Sequence, residues 1–482
     1  MNLSLSELLA ALPEIVMLFA VCFILLVDVF ISERYRVITY YLTQLTLIIA
    51  FVLALSQFKT YIDPITIFSG HYILDELAVL SKLFIYLFSF LSFIYARDYI
   101  QSRKIARSEY YLLGLLAVLG MSIMASAYSF LTIYLGLELL SLALYTMIAM
   151  HKESYVAIEA AMKYFVLGGL ASGMLLYGMS LLYGITGSIR IDVLGEALSQ
   201  QQTVVTMAAL VFVLGGLIFK FGAVPFHMWV PDVYQGAPTS VTLFIASAPK
   251  IAAFVITMRI LVQAMFSLHL NWEHILIIIS IFSMCFGNVL AIVQSNFKRM
   301  LAYSSIAHVG YTLLGILAGP IVPQGYAAAL FYIATYALVA SGAFAIIAIM
   351  SKGGVELDQL NDYRGLNARN PWLAFMMLLM MFSMAGVPPA VGFFAKLGLL
   401  QALVQADMVW LAVLALIFAL IGAYYYLRVI MLMYFEEPTE ETNTPILVSS
   451  DVLVAISING SAALFLGLFP SFFIDLCRVS IG

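Results

Sequence analysis

Charge is what this 482-residue chain has least of. Asp, Glu, Lys and Arg make up 10% of it, against 64% apolar residues, and the mean hydropathy is +1.05. Soluble domains carry about a quarter of their residues as charges, so a water-soluble fold is excluded and a polytopic membrane protein is expected. Cysteine is scarce too. Cys22, Cys285 and Cys477 are too scattered for a disulfide framework or a metal site, and they read as packing residues. The sequence has no Walker loop, no GxGxxG opening a soluble α/β unit, no paired-histidine haem site and no cysteine cluster. ATP hydrolysis and redox chemistry are therefore not expected in this chain, and any driving energy must come from a gradient or from partner subunits. A basic leader with a small-residue cleavage site is missing as well, so the first apolar span is expected to stay as a helix.

What the chain does have is apolar runs of membrane length. A bilayer core takes about 20 apolar residues per helix. On that measure the sequence predicts an all-α polytopic membrane protein of about fourteen transmembrane helices, with short loops and no soluble domain. The spans are 12–30, 40–56, 76–96, two within 110–150 that part at 125–129, then 157–184, 204–234, 241–266, 275–294, 301–318, 324–350, 371–406, 408–435 and 452–470. Thirteen basic residues fall in the odd-numbered loops: Arg34, Arg36, Arg97, Arg103, Lys104, Arg107, Lys152, Lys298, Arg299, Lys352, Arg364, Arg369 and Arg428. Four fall on the other side: Lys59, Arg190, Arg259 and Arg478. The positive-inside rule then puts both termini outside the cytoplasm.

Five lysines remain for the membrane interior: Lys82, Lys163, Lys220, Lys250 and Lys396. Lys220 and Lys250 belong to residues 215–250, where Pro225 interrupts an apolar run. A charge in hydrocarbon costs about 3 kcal/mol or more and marks a functional position by default. A broken helix at depth is tolerated only where its freed carbonyls face protein or water. Together these features predict an internal polar path. The run Phe219-Lys220-Phe221-Gly222-Ala223-Val224-Pro225 is echoed by Phe382-Ser383-Met384-Ala385-Gly386-Val387-Pro388, which puts Ser383 at the place of Lys220. The two runs lie five helices apart, as expected for inverted repeats with broken helices at matching positions.

Glu138 stands alone near the centre of the fifth span. A lone carboxylate in lipid stays protonated, whereas one paired with a lysine can ionise. Glu138 is thus either neutral hydrogen-bonding glue between helices or half of a Glu–Lys switch. A lysine in an apolar site loses several pKa units and can exchange a proton near neutral pH. Lys220, Lys250 and Lys396 are candidates for such exchange, against the alternative of structural lysines satisfied by freed carbonyls. Lys163 is close enough to a membrane surface to snorkel, and Lys82 is read as snorkelling. His308, four residues after Ser304 on one face with Ser305 beside it, suits either a hydrated proton relay or a hydrogen-bonded packing role. His227 is expected in a loop or cavity mouth beside Trp229.

The run FKFGAVPFHMW (219–229), with Asp232-Val233-Tyr234-Gln235-Gly236-Ala237-Pro238-Thr239 after it, resembles the signature of the antiporter-like proton-translocating subunits of respiratory complex I. Ser247-Ala248-Pro249-Lys250, KRMLAYSSIAHVGY (298–311) and residues 386–396 match further blocks of that family. KYFVLGGLASGMLLYG (163–178) and MYFEEP (433–438) resemble its subunit N branch, in bacterial NADH–quinone oxidoreductases. No long C-terminal amphipathic helix follows the last span, unlike the larger subunit L. The resemblance implies inverted repeats of helices 4–8 and 9–13. The chain would divide into 1–109, a first repeat at 110–270, a second at 271–436, and 437–482 with the last helix. It implies Glu138 and Lys220 as a charge pair, Lys250 and Lys396 as central and distal relays, and Lys163 as modulator of the pair. Some relatives have Glu where Lys396 stands. Flavin, iron–sulfur clusters and quinone would belong to partner subunits, with no cofactor in this chain. Other membrane subunits and the lipid bilayer of a bacterial inner membrane would be its partners, with no nucleic acid. A cation/proton antiporter, a membrane-bound hydrogenase subunit and a non-pumping scaffold remain alternatives. A lysine-lined path disfavours sodium, which prefers carboxylates and carbonyls.

Overall fold

The computed structural model describes residues 4–32, 35–58, 64–103, 105, 107–200, 203–351, 355–438, 446 and 448–481. Arg34, Lys59, Lys104 and Lys352, counted above toward orientation, lie outside the described residues. Among the described residues thirteen helices are long and apolar enough to cross a membrane. They are α1 (Leu12–Phe30), α2 (Val37–Gln57), α3 (Glu76–Arg103), α4 (Ser108–Ser126), α5 (Phe130–Ile148), α6 (Tyr155–Thr186), α7 (Val204–Phe221), α8 (Thr239–Ala264), α9 (Phe266–Ile292), α10 (Phe297–Ala318), α11 (Gln324–Met350), α13 (Val409–Phe435) and α14 (Ser450–Leu468). The remaining span, α12, is a shorter pair, Pro371–Ala385 and Val391–Gln405. The expected spans are all present; α3 runs seven residues past the end of its expected stretch and α9 begins nine residues before its own.

Polar residues set where the helices begin. Ser129 accepts a hydrogen bond from the Thr132 amide and starts α5, so the over-long run parts at the expected place. Ser154, Asn296 and Asn370 cap α6, α10 and α12 in the same way, with Pro371 in the first turn of α12. Segments outside the spans also hold structure that a span count does not see. A hairpin, β1 (Ile65–Ile67) against β2 (Tyr72–Leu74), lies between α2 and α3. An amphipathic helix, Ile191–Gln200, joins α6 to α7, and Pro470–Val479 follows α14.

The bundle is organised around α10 and α11. α11 is buried around its whole circumference, which is why it shows no polar face. α1, α6, α13 and α14 keep large apolar side chains on the outside, as a lipid-facing shell does. Cys477 is buried and Cys285 partly so, but Cys22 is exposed on α1 and does not pack inside.

Small residues bring helices into backbone contact. A Cβ on Gly120 of α4 would stand 2.7 Å from the Gly136 carbonyl and the Leu140 amide nitrogen of α5. Close approach of this kind replaces the hydrophobic driving force that lipid does not supply. Gly120→Val should therefore destabilise the chain by about 1–3 kcal/mol, the usual range for overpacking. The readout is a lowered thermal unfolding midpoint in detergent. Gly169→Val, at a glycine with nothing within 4 Å of its Cβ, should leave the midpoint unchanged.

Candidate functional site

The two breaks are built alike. α7 ends at Gly222, which takes φ +75° and turns the chain so that its amide and that of Ala223 both bond the Ile218 carbonyl, at 2.9 and 3.0 Å. The first segment of α12 ends at Gly386, at φ +84°, with the amides of Gly386 and Val387 on the Phe382 carbonyl at 3.0 and 2.9 Å. Left-handed backbone of this kind is open to glycine at little cost. The hydrogen bonds align Gly222 with Gly386, one residue off the alignment of the sequence echo. Met384, not Ser383, is thus the positional counterpart of Lys220. Ser383 instead accepts the Gly392 amide through its hydroxyl at 3.1 Å.

A helix end leaves carbonyls without partners and concentrates negative partial charge there. In both breaks a lysine answers this. Lys250 donates to the Phe221 carbonyl at 2.5 Å, and Lys396 donates to the Met384 and Ala385 carbonyls at 2.9 Å each. Phe221 and Ala385 both directly precede the turning glycine, so Lys250 and Lys396 cap the same backbone position. Aromatic faces lie beside both heads, Trp229 at 5.9 Å and Tyr311 at 5.4 Å from the ring centroids. α8 is itself interrupted, between Thr239–Ile245 and Ala248–Thr257, which places Lys250 in the first turn of the second piece.

Lys220 occupies the last turn of α7 and turns the other way. Its ammonium donates to the Ser141 hydroxyl at 2.8 Å, and that hydroxyl donates to the Leu137 carbonyl at 2.7 Å. Glu138 lies three residues before Ser141 on α5, so the two share a helix face. No contact ion pair joins Glu138 to Lys220 among the described residues. Glu138 Oε1 is buried and has no hydrogen-bond partner there. Lys220 is thus held by Ser141, a residue on the same face of α5 as Glu138 that was missed in the sequence although its spacing from Glu138 points to it.

His308 is held at both ring nitrogens, by Tyr332 at 2.7 Å and Tyr426 at 3.0 Å, and Tyr426 also bonds Ser304 at 2.5 Å. A cavity of 10 Å³ lined by His308, Tyr332, Tyr336, Ser383 and Lys396 has room for about one water. A larger cavity of 360 Å³ touches Lys396 from the side of α13. Lys163 lies at the surface, pairing Glu159 at 2.9 Å and Asp232 at 2.8 Å. Asp232 also takes Arg299 at 2.8 Å, so this carboxylate joins α6 to α10. His227 is half-buried in the turn after α7, with its ring against Phe286.

Two sequence readings are corrected. Lys82 does not snorkel. It is wholly buried and pairs Glu14 at 2.6 Å, because α1 brings a carboxylate to it from 68 positions away. Arg259 belongs to the interior and not to a surface loop, being wholly buried against Asp75 at 2.6 Å.

The start of α8 is clamped from the α11–α12 connection. Glu356 accepts hydrogen bonds from Tyr99 and from the Thr239 hydroxyl, the latter at 3.0 Å, and lies 3.6 Å from Arg103. Burial opposes its charge, but Lys298 and Arg103 and then the two hydroxyls outweigh it, so its carboxyl sits below the usual range. A depressed carboxyl contributes stability above the unfolded value of about 4.3 and loses it as pH falls through the folded value. Glu356→Gln should accordingly be less stable than the parent at neutral pH. The gap should close below about pH 4, which unfolding midpoints in detergent across pH would show.

The site's class follows from family comparisons. The family model for "NADH:quinone oxidoreductase/Mrp antiporter, TM" matches residues 127–422. This chain belongs to that family of membrane subunits. Its likeness to NADH-quinone oxidoreductase subunit N runs from end to end: 52% identity to the Coxiella burnetii protein over 98% of each chain, and 52% to that of Thioalkalivibrio sulfidiphilus over the whole of both. Among solved structures, a chain of respiratory complex I from Thermus thermophilus superposes with TM-score 0.84 at 32% identity, covering 98% of this chain and all of that one. A chain of the Mrp complex from Dietzia shares the fold, with TM-score 0.86 at 20% identity, covering 99% of this chain and 97% of that one.

Proposed function

We propose that this chain is a proton-translocating membrane subunit of a bacterial NADH–quinone oxidoreductase. In this reading NADH oxidation and quinone reduction take place in partner subunits of an inner-membrane complex. The observation that carries it is the pair of equivalent lysine caps, Lys250 on Phe221 and Lys396 on Met384 and Ala385, at two breaks in one bundle. A lysine on a backbone carbonyl keeps a hydrogen-bond partner whether it is charged or neutral, because even the neutral amine retains N–H donors. Such a site can lose and regain a proton without the helix end losing its cap.

The bundle divides into two inverted units, 110–270 and 271–436, with both termini on the outer face. Protons enter the first unit and reach Lys220, where Glu138 sets how strongly the charge is held. A rearrangement in neighbouring subunits changes the Glu138–Lys220 separation and passes the proton toward Lys250. Lys396, with His308 beside the shared cavity, then passes a proton outward through the second unit, while Lys163 biases the Glu138–Lys220 pair from the surface. Moving one charge against about 150 mV needs about 3.5 kcal/mol. Parting two unit charges from about 4 to about 8 Å at an effective dielectric near 20 changes their attraction by about 2 kcal/mol. The switch thus supplies a large part of the requirement, and further charge movements in the row supply the rest.

In membrane vesicles Glu138→Gln and Lys220→Ala should assemble and lower NADH-driven acidification severalfold, with electron transfer slowed alongside it. Full assembly with unchanged acidification per electron would reduce this subunit to a scaffold.

A further inference from the structure

A second set of buried charges lies off the lysine row, at the hairpin end of the bundle. Glu14 of α1 is almost wholly enclosed, and its carboxylate meets three polar side chains. Lys82 pairs with it at 2.6 Å, Ser122 donates to it at 2.7 Å, and Tyr72 of β2 donates to it at 3.1 Å. Lys82 also donates to the Tyr72 hydroxyl at 2.7 Å, and Tyr86 bonds Ser122 at 2.7 Å. Directly before α3, Asp75 receives both terminal nitrogens of Arg259 at 2.6 Å and caps the Ala78 amide at 2.9 Å. Arg259 lies nine residues after Lys250 on α8, about 13 Å farther along the axis. Two polar atoms on these elements are buried without a hydrogen-bond partner among the described residues, Ser81 Oγ of α3 and Arg259 Nε of α8. Orphaned polar atoms at a buried ionic site mark places for bound water.

Apolar packing would hold α1 against α3 and α4 at lower cost, since two buried charges lose more hydration than their attraction usually returns. A purely mechanical joint therefore does not need this arrangement. We propose that Glu14 and Lys82, with Asp75 and Arg259 between them and Lys250, form the terminal proton-holding site of the first unit's path. The proposal rests on the translocation reading above. In the step it describes, the Lys82 ammonium gives one proton to Glu14 Oε1: an N–H bond breaks, an O–H bond forms, and the pair becomes neutral. Glu14 then releases that proton to water at the hairpin end, and Lys82 regains one from the Lys250 side through water held at Arg259 and Ser81. Each cycle moves one proton and leaves the pair charged again. Tyr72 and Ser122 keep Glu14 hydrogen-bonded in both forms.

The test uses the whole complex in proteoliposomes, with Glu14→Gln, a Glu14→Leu/Lys82→Leu double variant, and Lys250→Met as the reference for the relay. Both cluster variants should assemble and lower protons moved per electron by a fraction similar to that of Lys250→Met. If Lys250→Met lowers the ratio while the assembled cluster variants keep the parental one, the cluster carries no proton and the proposal falls alone. If Lys250→Met also keeps the parental ratio, the translocation reading falls and takes this one with it. If neither cluster variant assembles, the charges are a structural joint, which also overturns the proposal.

Discussion

A lysine ammonium on the open carbonyl end of a broken helix is the interaction on which this bundle's interior depends. Ending a helix inside a membrane leaves carbonyls that water would otherwise satisfy. Burying a lysine there leaves a charge without hydration. Each difficulty is the other's remedy, and the chain uses the remedy twice, at Phe221 with Lys250 and at Ala385 with Lys396. The flanking geometry follows from it. The glycine must turn the chain tightly so that the carbonyl before it points inward. The capping lysine must come from a neighbouring helical segment, α8 for one break and the second segment of α12 for the other. Both lysines also lie against an aromatic face, Trp229 or Tyr311.

Much of the architecture was legible because membrane length is written directly as apolar run length. The spans, the parting at Ser129 and both breaks could be read from residue type alone. Partners could not. Lys82 reads as snorkelling because it lies close to the outer end of the third span; its partner Glu14 arrives by tertiary packing. Arg259 is counted with the basic residues of the outer side although it falls within the span 241–266, and Asp75 holds it inside. The echo between 219–225 and 382–388 was informative yet misaligned by one residue. Letters match at Phe, Val and Pro, whereas the hydrogen bonds are set by which glycine takes the left-handed turn. Ser141 was legible in principle, since it shares a helix face with Glu138.

The charged groups fall into three tiers with different duties. Along the row from Lys220 to Lys396, each lysine has a neutral oxygen as its partner, a hydroxyl or a carbonyl, and no carboxylate in contact among the described residues. Nearer the surface, Asp232 pairs Lys163 of α6 and Arg299 of α10, and Glu356 pairs Arg103 of α3. At the hairpin end, Glu14 and Lys82 touch directly inside the protein. A lysine on a neutral oxygen can change its charge alone, whereas one against a carboxylate does so by handing it the proton, which leaves both neutral. The row and the hairpin-end pair can thus each exchange a proton, and the surface pairs are suited to holding helices in register.

Exchange along the row requires water between groups too far apart to bond. The spaces are small, 10 Å³ between His308 and Lys396, so the waters must be few and ordered. A high-resolution electron cryomicroscopy map of the assembled complex, sharp enough to show individual waters, tests this most directly. The relay predicts ordered waters beside Glu138 and Ser141, and between His308 and Lys396, continuing toward Lys250. Dry apolar packing between Lys250 and His308 in every state of the complex would contradict it.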